Sequence, residues 1–147
     1  MQNGEVINSV ERFMERLFLT GVDNLFDELG YSTAMQGQNV KFADITSGKV
    51  IATVDFLLED SEYAIVVDVN VELEIADIDN HIDRIAVIRN YFNERGDKRI
   101  LIGAVAGGIV HDNVLKYAQK NGLYVITQGG DSGMIADLPE GFKPREW

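Results

Sequence analysis

Residues 50–73 read V-I-A-T-V-D-F-L-L-E-D-S-E-Y-A-I-V-V-D-V-N-V-E-L. Two runs rich in β-branched and large apolar residues flank the polar turn Glu59-Asp60-Ser61-Glu62, which is the pattern of two strands joined as a hairpin. Asp55 interrupts the first run and Asp68 the second. A carboxylate set among apolar residues is costly unless a proton, a cation or hydrogen-bond donors compensate it. What neutralises these two acids is therefore the functional question.

The turn supplies an expected register. A loop of Glu59 to Glu62 between Leu58 and Tyr63 pairs Thr53 with Asp68 and Val66 with Asp55. Strand periodicity then places Thr53, Asp55, Val66, Asp68, Asn70 and Glu72 on one face. Asp55 and Asp68 become diagonal neighbours, with Cβ atoms under about 7–8 Å apart. Two short carboxylates at that range can share one hard cation, whose oxygen ligands sit at about 2.0–2.6 Å. Without a cation, Thr53 would hydrogen-bond Asp68 across the strands while Asp55 pairs elsewhere.

Before the hairpin, apolar residues from Val6 to Leu29 recur at helical spacing, with Gly30 as the stop and Thr20-Gly21 as a break. Glu11, Glu15, Asp23 and Asp27 lie on its polar side. A strand is expected from Val40 to Ile45, followed by the turn Thr46-Ser47-Gly48. After the hairpin, a helix spans Ala76 to Glu94, carrying Ile78, Ile82, Ile85, Ile88 and Phe92 as its apolar stripe. The almost wholly apolar run Arg99 to Ala106 predicts a strand covered on both faces. A short helix from Asp112 to Asn121-Gly122, a strand from Leu123 to Thr127 and a brief run at Met134 to Ala136 complete the order. Phe142 and Trp147 in the tail are expected to pack on the body. The order α-β-β-β-α-β-α-β predicts a single α/β domain over residues 1–147, a mixed sheet with helices on both sides.

Composition narrows the chemistry. At 147 residues the chain can bury a sizeable core unaided, and with no cysteine it has no thiolate zinc site, cysteine nucleophile or thiol redox chemistry. Its net charge of −11, from 24 acids against 13 bases, repels polyanions and disfavours nucleic acid as a partner unless bases cluster locally. The bases Lys98, Arg99, Lys116, Lys120, Lys143 and Arg145 are dispersed rather than clustered. No apolar run approaches the ~20 residues of a membrane span, and Met1 to Glu5 lack the features of a secretory signal, so a cytoplasmic chain without membrane contact is expected. Gly103 to Gly108 does not fit G-x-G-x-x-G, so close backbone packing or a turn explains its glycines better than a dinucleotide. His111, just before a helix, is expected in its capping structure.

An acid in one strand, then acid-x-Lys in the next strand of a hairpin behind a helix, is the pattern of the PD-(D/E)XK, or restriction-endonuclease-like, nuclease superfamily. The segment from Asp55 to Leu73, continuing through D-I-D-N-H-I-D-R-I, G-A-V-A-G, Y-A-Q-K-N-G-L-Y-V-I-T-Q-G-G-D and P-E-G-F-K-P-R-E-W, resembles an uncharacterised prokaryotic family within it. The likeness covers residues 24 to 147.

The resemblance implies an αβββαβ core with a C-terminal αβ extension. It also implies metal-dependent phosphodiester hydrolysis of the endonuclease type, with Mg2+ or Mn2+ held by Asp55 and Asp68. Asn70 stands at the lysine position of the motif, and supplies neither positive charge nor an ionisable group. Lys41, Lys49 and Lys98 are the lysines considered as replacements. Glu15, or Glu11, stands nearest to the helix acid that family members often use, and His81 falls where the resemblance places a histidine. Both are candidate helpers. A homodimer is expected from the superfamily's habits. Related domains often carry further N-terminal helical segments, which leaves room for a DNA-binding or dimerising part. The alternative function is a catalytically degenerate module that binds a partner, or a second copy of itself, through the sheet edge or apolar residues near the C-terminus.

Overall fold

A computed structural model describes residues 9, 12, 15, 16, 21–130 and 132–147 of the chain. Ser9, Arg12, Glu15 and Arg16 are helical. The other residues of the expected first helix before Gly21, including Glu11, lie outside the described residues. The break expected at Thr20-Gly21 falls at Gly21, whose φ of 82° starts a new helix, α1 (Val22–Glu28). Three strands follow: β1 (Met35–Ala43), β2 (Val50–Glu59) and β3 (Tyr63–Glu72). Then come α2 (Ile75–Glu94), β4 (Ile100–Ile109), α3 (Asp112–Lys120), β5 (Tyr124–Gly129) and β6 (Ser132–Ile135).

The strands form one six-stranded mixed sheet in the order β1-β2-β3-β4-β5-β6. The meander β1 to β3 is antiparallel, β3, β4 and β5 are parallel, and β6 returns antiparallel. Each parallel step needs a crossover, and α2 and α3 supply them. Both pack on one face, where Ile78, Ile85, Ile88, Val114 and Ala118 meet Val66, Val105 and Val125. On the other face Val22 and Phe26 of α1 meet Phe56, Ile65, Val67 and Ile102. β4 is buried from Leu101 to Ala106, as a strand covered on both faces must be. No helix among the described residues is long and apolar enough to cross a membrane.

Three features differ from expectation, each for a local reason. β1 begins at Met35, ahead of the expected start at Val40, because an edge strand with exposed side chains needs no apolar alternation. β4 continues through Gly107-Gly108 to Ile109. There a Cβ at Gly107 would lie 2.9 Å from Leu73, so glycine permits the close approach of chain to chain. The hairpin register is shifted by two residues: Leu57 faces Val66, Leu58 faces Ile65, and Thr53 faces Lys41 of β1 rather than Asp68. The turn is tighter than expected because Asp60 Oδ1 accepts the Glu62 and Tyr63 amides at 2.7 and 2.6 Å.

The tail closes a gap in the sheet. β5 pairs with β4 only at Ala104, Val105 and Ala106, which leaves the start of that β4 edge open. Trp147 fills it, its amide donating to Leu101 O at 3.1 Å and its carbonyl accepting from the Leu101 amide at 3.0 Å. Phe142 packs against Tyr124, ring centroids 5.3 Å apart. Gly122, at φ 77°, anchors this segment by accepting the Arg145 amide, and a Cβ there would stand 2.6 Å from Arg145 N. Gly122→Ala combines left-handed strain with a backbone clash and is expected to cost about 2–4 kcal/mol, read as a lower urea midpoint. An unchanged midpoint would show that the tail yields without cost.

Candidate active site

β2 and β3 stay paired from Glu59 and Ala64 as far as Phe56 and Val67, and there the pairing stops. β3 remains bonded to β4 up to Glu72, so it is β2 that peels away. Its apolar side chains change face at that point. Ala52, Val54 and Leu57 join the layer beneath α2, whereas Phe56 and Leu58 join the layer beneath α1. Strict alternation would keep Val54 and Phe56 together, so the strand slips phase at Asp55. Across the β1 ladder, Asn39 sits between the pairs Gln38–Phe56 and Val40–Val54 with φ 50°, a conformation asparagine tolerates better than most residues.

Asp55 bridges the opening that results. Its Oδ2 accepts the Val69 amide at 2.7 Å, which puts a side-chain oxygen where a ladder carbonyl would otherwise serve. Asp68 lies close enough for its charge to act on the Asp55 carboxyl. The two acids thus meet despite the altered register, because a shift of two residues preserves the face. Asp68 Oδ2 accepts from the Asn70 amide at 3.1 Å, and Asp68 Oδ1 lies 3.3 Å from Arg84 Nη1 on α2. Burial pushes the Asp55 carboxyl up to about 7. The Asp68 and Glu15 charges add to this rise, while the Val69 amide opposes it. Glu15, one of the two helper candidates, therefore lies close enough for its charge to act on Asp55.

His81, the other helper candidate, is fully buried. Its Nε2 lies 3.1 Å from Val66 O and its Nδ1 lies 2.8 Å from Arg84 Nη1. A guanidinium only donates, so Nδ1 must accept, and the proton on Nε2 points to Val66 O. The ring is the neutral tautomer. Burial drives its pKa down to about 4, with the Arg84 charge adding to the fall and Asp68 opposing it.

Asn70 contacts Asp68 through its side-chain amide. Of the lysines considered, Lys41 is exposed on β1 opposite Thr53, Lys49 lies in the β1–β2 turn, and Lys98 lies beside Ser61 and Glu62 at the β2–β3 turn. A cation that does meet the pair is Arg84, which lies beside Asp68 and which the sequence pattern did not single out. It sits three residues after His81, beside the stripe of Ile78, Ile85 and Ile88, and that spacing was the available signal. His111 is the N-cap residue of α3, and its ring lies 3.4 Å from exposed Glu72. No group of three or more His, Cys, Asp or Glu converges to hold a metal ion among the described residues.

The raised Asp55 pKa fixes the sign of a stability change. Between about pH 4 and 7 the folded chain retains a proton that the unfolded chain has released, so this contribution falls as pH rises and is level above 7. His81 acts oppositely: the unfolded chain binds its proton below about 6.5 while the folded chain binds it only near 4, so its contribution rises with pH across that window. Asp55→Asn keeps an acceptor for Val69 and a donor for Asp68 without ionising. In chelator-treated buffer its stability relative to the parent chain is expected to climb from pH 4 to 7 and then level off, read by urea unfolding. A pH-independent difference would show that Asp55 titrates normally.

No family model matches the chain, and no curated protein matches its sequence. Among solved structures it is similar to the small subunit of the heterodimeric restriction endonuclease R.BspD6I, at 17% identity and a TM-score of 0.41, over 86% of this chain and 72% of that one.

Proposed function

We propose that the chain is a restriction-endonuclease-like domain whose Asp55 and Asp68 hold one divalent cation, magnesium or manganese, for hydrolysis of a phosphodiester bond. The meeting of these two half-buried carboxyls where β2 leaves β3 carries the proposal. Their donor chemistry fits: magnesium is commonly held by one or two carboxylates, with water and substrate phosphate completing its shell, so a third protein ligand is not required. When bound, the cation supplies a Lewis acid for the phosphoryl oxygen and lowers the pKa of a bound water.

The chain's own residues divide the remaining work. The Val69 amide fixes Asp55 Oδ2 and so holds the carboxylate in one orientation. Asn70 orients Asp68 through Oδ2 but has no proton to exchange, so it is a positioning group and not a base. Cation binding must displace the proton that Asp55 holds up to about pH 7, and the affinity therefore falls as pH is lowered through that value. A net charge of −11 opposes approach of a polyanion, which makes the bound cation part of substrate binding as well.

One observation favours a second reading. The raised pKa of Asp55 and the Arg84 ion pair with Asp68 can balance these acids without any metal. The sheet edge at β1 also carries exposed Met35, Ile45, Val50 and Ile51 on or beside its hairpin. A degenerate module associating with itself through that edge fits both facts.

Plasmid nicking in magnesium or manganese separates the two. The nuclease proposal expects cutting that falls by about a hundredfold or more in both Asp55→Ala and Asp68→Ala, together with one cation site per chain by titration calorimetry. Absence of both cutting and cation binding in the parent chain would sink it. In that case, dimers that dissociate on Ile51→Lys would support the module.

A further inference from the structure

The arginines on and beside α2 are used in different ways. Arg89 spends its three nitrogens on Asn93 Oδ1 and on the carbonyls of Asp97, Arg99 and Trp147. Arg99 is bound by Asp97 and Glu59 and also reaches Asp60 O. These two tie the fold together. Arg84 commits only Nη1, which faces both Asp68 and His81, while its Nε and Nη2 have no hydrogen-bond partner among the described residues. The side chain is 25% exposed, beside the Asp55–Asp68 pair.

His81 is an unusual support for such a group. A fully buried imidazole is held by Val66 O on the sheet and turns its one acceptor toward the guanidinium. If Arg84 served only to neutralise Asp68, a carboxylate contact alone would suffice. A second, buried acceptor at 2.8 Å instead fixes where the planar fork points. A guanidinium with three unused donors presents the geometry that binds phosphate oxygens in pairs.

We infer that Arg84 is the phosphate-binding cation of this site, supplying from α2 the positive charge that Asn70 lacks, and that buried His81 is the positioning residue that aims it. The inference rests on the phosphodiester reading of the Asp55–Asp68 pair. Its ligand is a phosphodiester oxygen of a nucleic-acid backbone, held through Nη2 and Nε while Nη1 stays on His81 and Asp68.

Binding and cutting test it separately. Fluorescence anisotropy of a short labelled DNA duplex in calcium reads binding, and plasmid nicking in magnesium reads hydrolysis. Arg84→Met is expected to weaken duplex binding by about tenfold or more, and Arg84→Lys by less. Adding Asn70→Lys to Arg84→Met is expected to restore binding, because it returns a cation from the opposite side of Asp68. For His81, the variant His81→Asn keeps an acceptor in the Nδ1 position, whereas His81→Leu and His81→Gln do not.

Positioning predicts near-parent binding for His81→Asn and an Arg84→Met-like loss for the other two, with no further loss when His81→Gln is added to Arg84→Met. A purely structural role would lower stability in all three and add to the Arg84→Met loss. If His81→Leu fails to fold, the Asn and Gln variants decide. Unchanged binding in Arg84→Met overturns the inference while leaving cutting, if present, to the two acids. Duplex binding that needs Arg84 in a chain that does not cut retains the inference and removes the hydrolase. A parent chain that neither binds nor cuts removes both.

Discussion

The bond from the Val69 amide to the Asp55 carboxylate is the constraint around which the site is built. It occupies a place where two neighbouring strands would ordinarily exchange backbone groups, and so lets β2 depart without leaving that amide unpaired. β3 loses nothing, since its other edge stays bonded to β4. The departure in turn permits the change of face between Val54 and Phe56, which divides the apolar residues of β2 between the two layers. A carboxylate at the centre of the sheet therefore serves as a structural substitute for a ladder carbonyl. Replacing it with an apolar residue would remove the bond that makes the opening tolerable.

The two acids are neutralised by different means. Asp55 is driven toward its protonated form by burial and by its acidic neighbours, whereas Asp68 is met by a guanidinium. Charge is thus balanced in the metal-free state by one proton and one arginine, and the neutral imidazole of His81 adds no charge of its own. A divalent cation entering between the acids would replace the proton, while Arg84 Nη1 stays on Asp68 and His81 and its other donors face an incoming anion.

The element order was legible because each segment carries a strong periodic or punctuating signal: the stripe from Ile78 to Phe92, the apolar run of β4 and the left-handed glycines at 21 and 122. The polar opening of β1 was not legible, since an exposed edge strand imposes no pattern on its side chains. Register depended on how Asp60 folds the turn, a local capping choice that spacing alone does not dictate. Asp55 and Asp68 stood out as candidates because they break an apolar pattern, and Asn70 only through the family resemblance. Arg84 breaks nothing: on a polar helix an arginine is ordinary, and only its distance from a buried histidine distinguishes it. The site was therefore visible where it opposes the fold, and hidden where it agrees with it.

The seat of Trp147 on Leu101 has a bearing on how the chain can be made. The meander from β1 to β3 closes through pairings between near neighbours in sequence, so it can assemble while later residues are still being added. β4 cannot complete its hydrogen bonding in the same way, because the partner for its first residues is the residue at position 147. Until that residue arrives, a central and strongly apolar strand has an open stretch of edge. Before then that stretch is open to pairing with another chain beside Leu101, at a place that the fold later conceals.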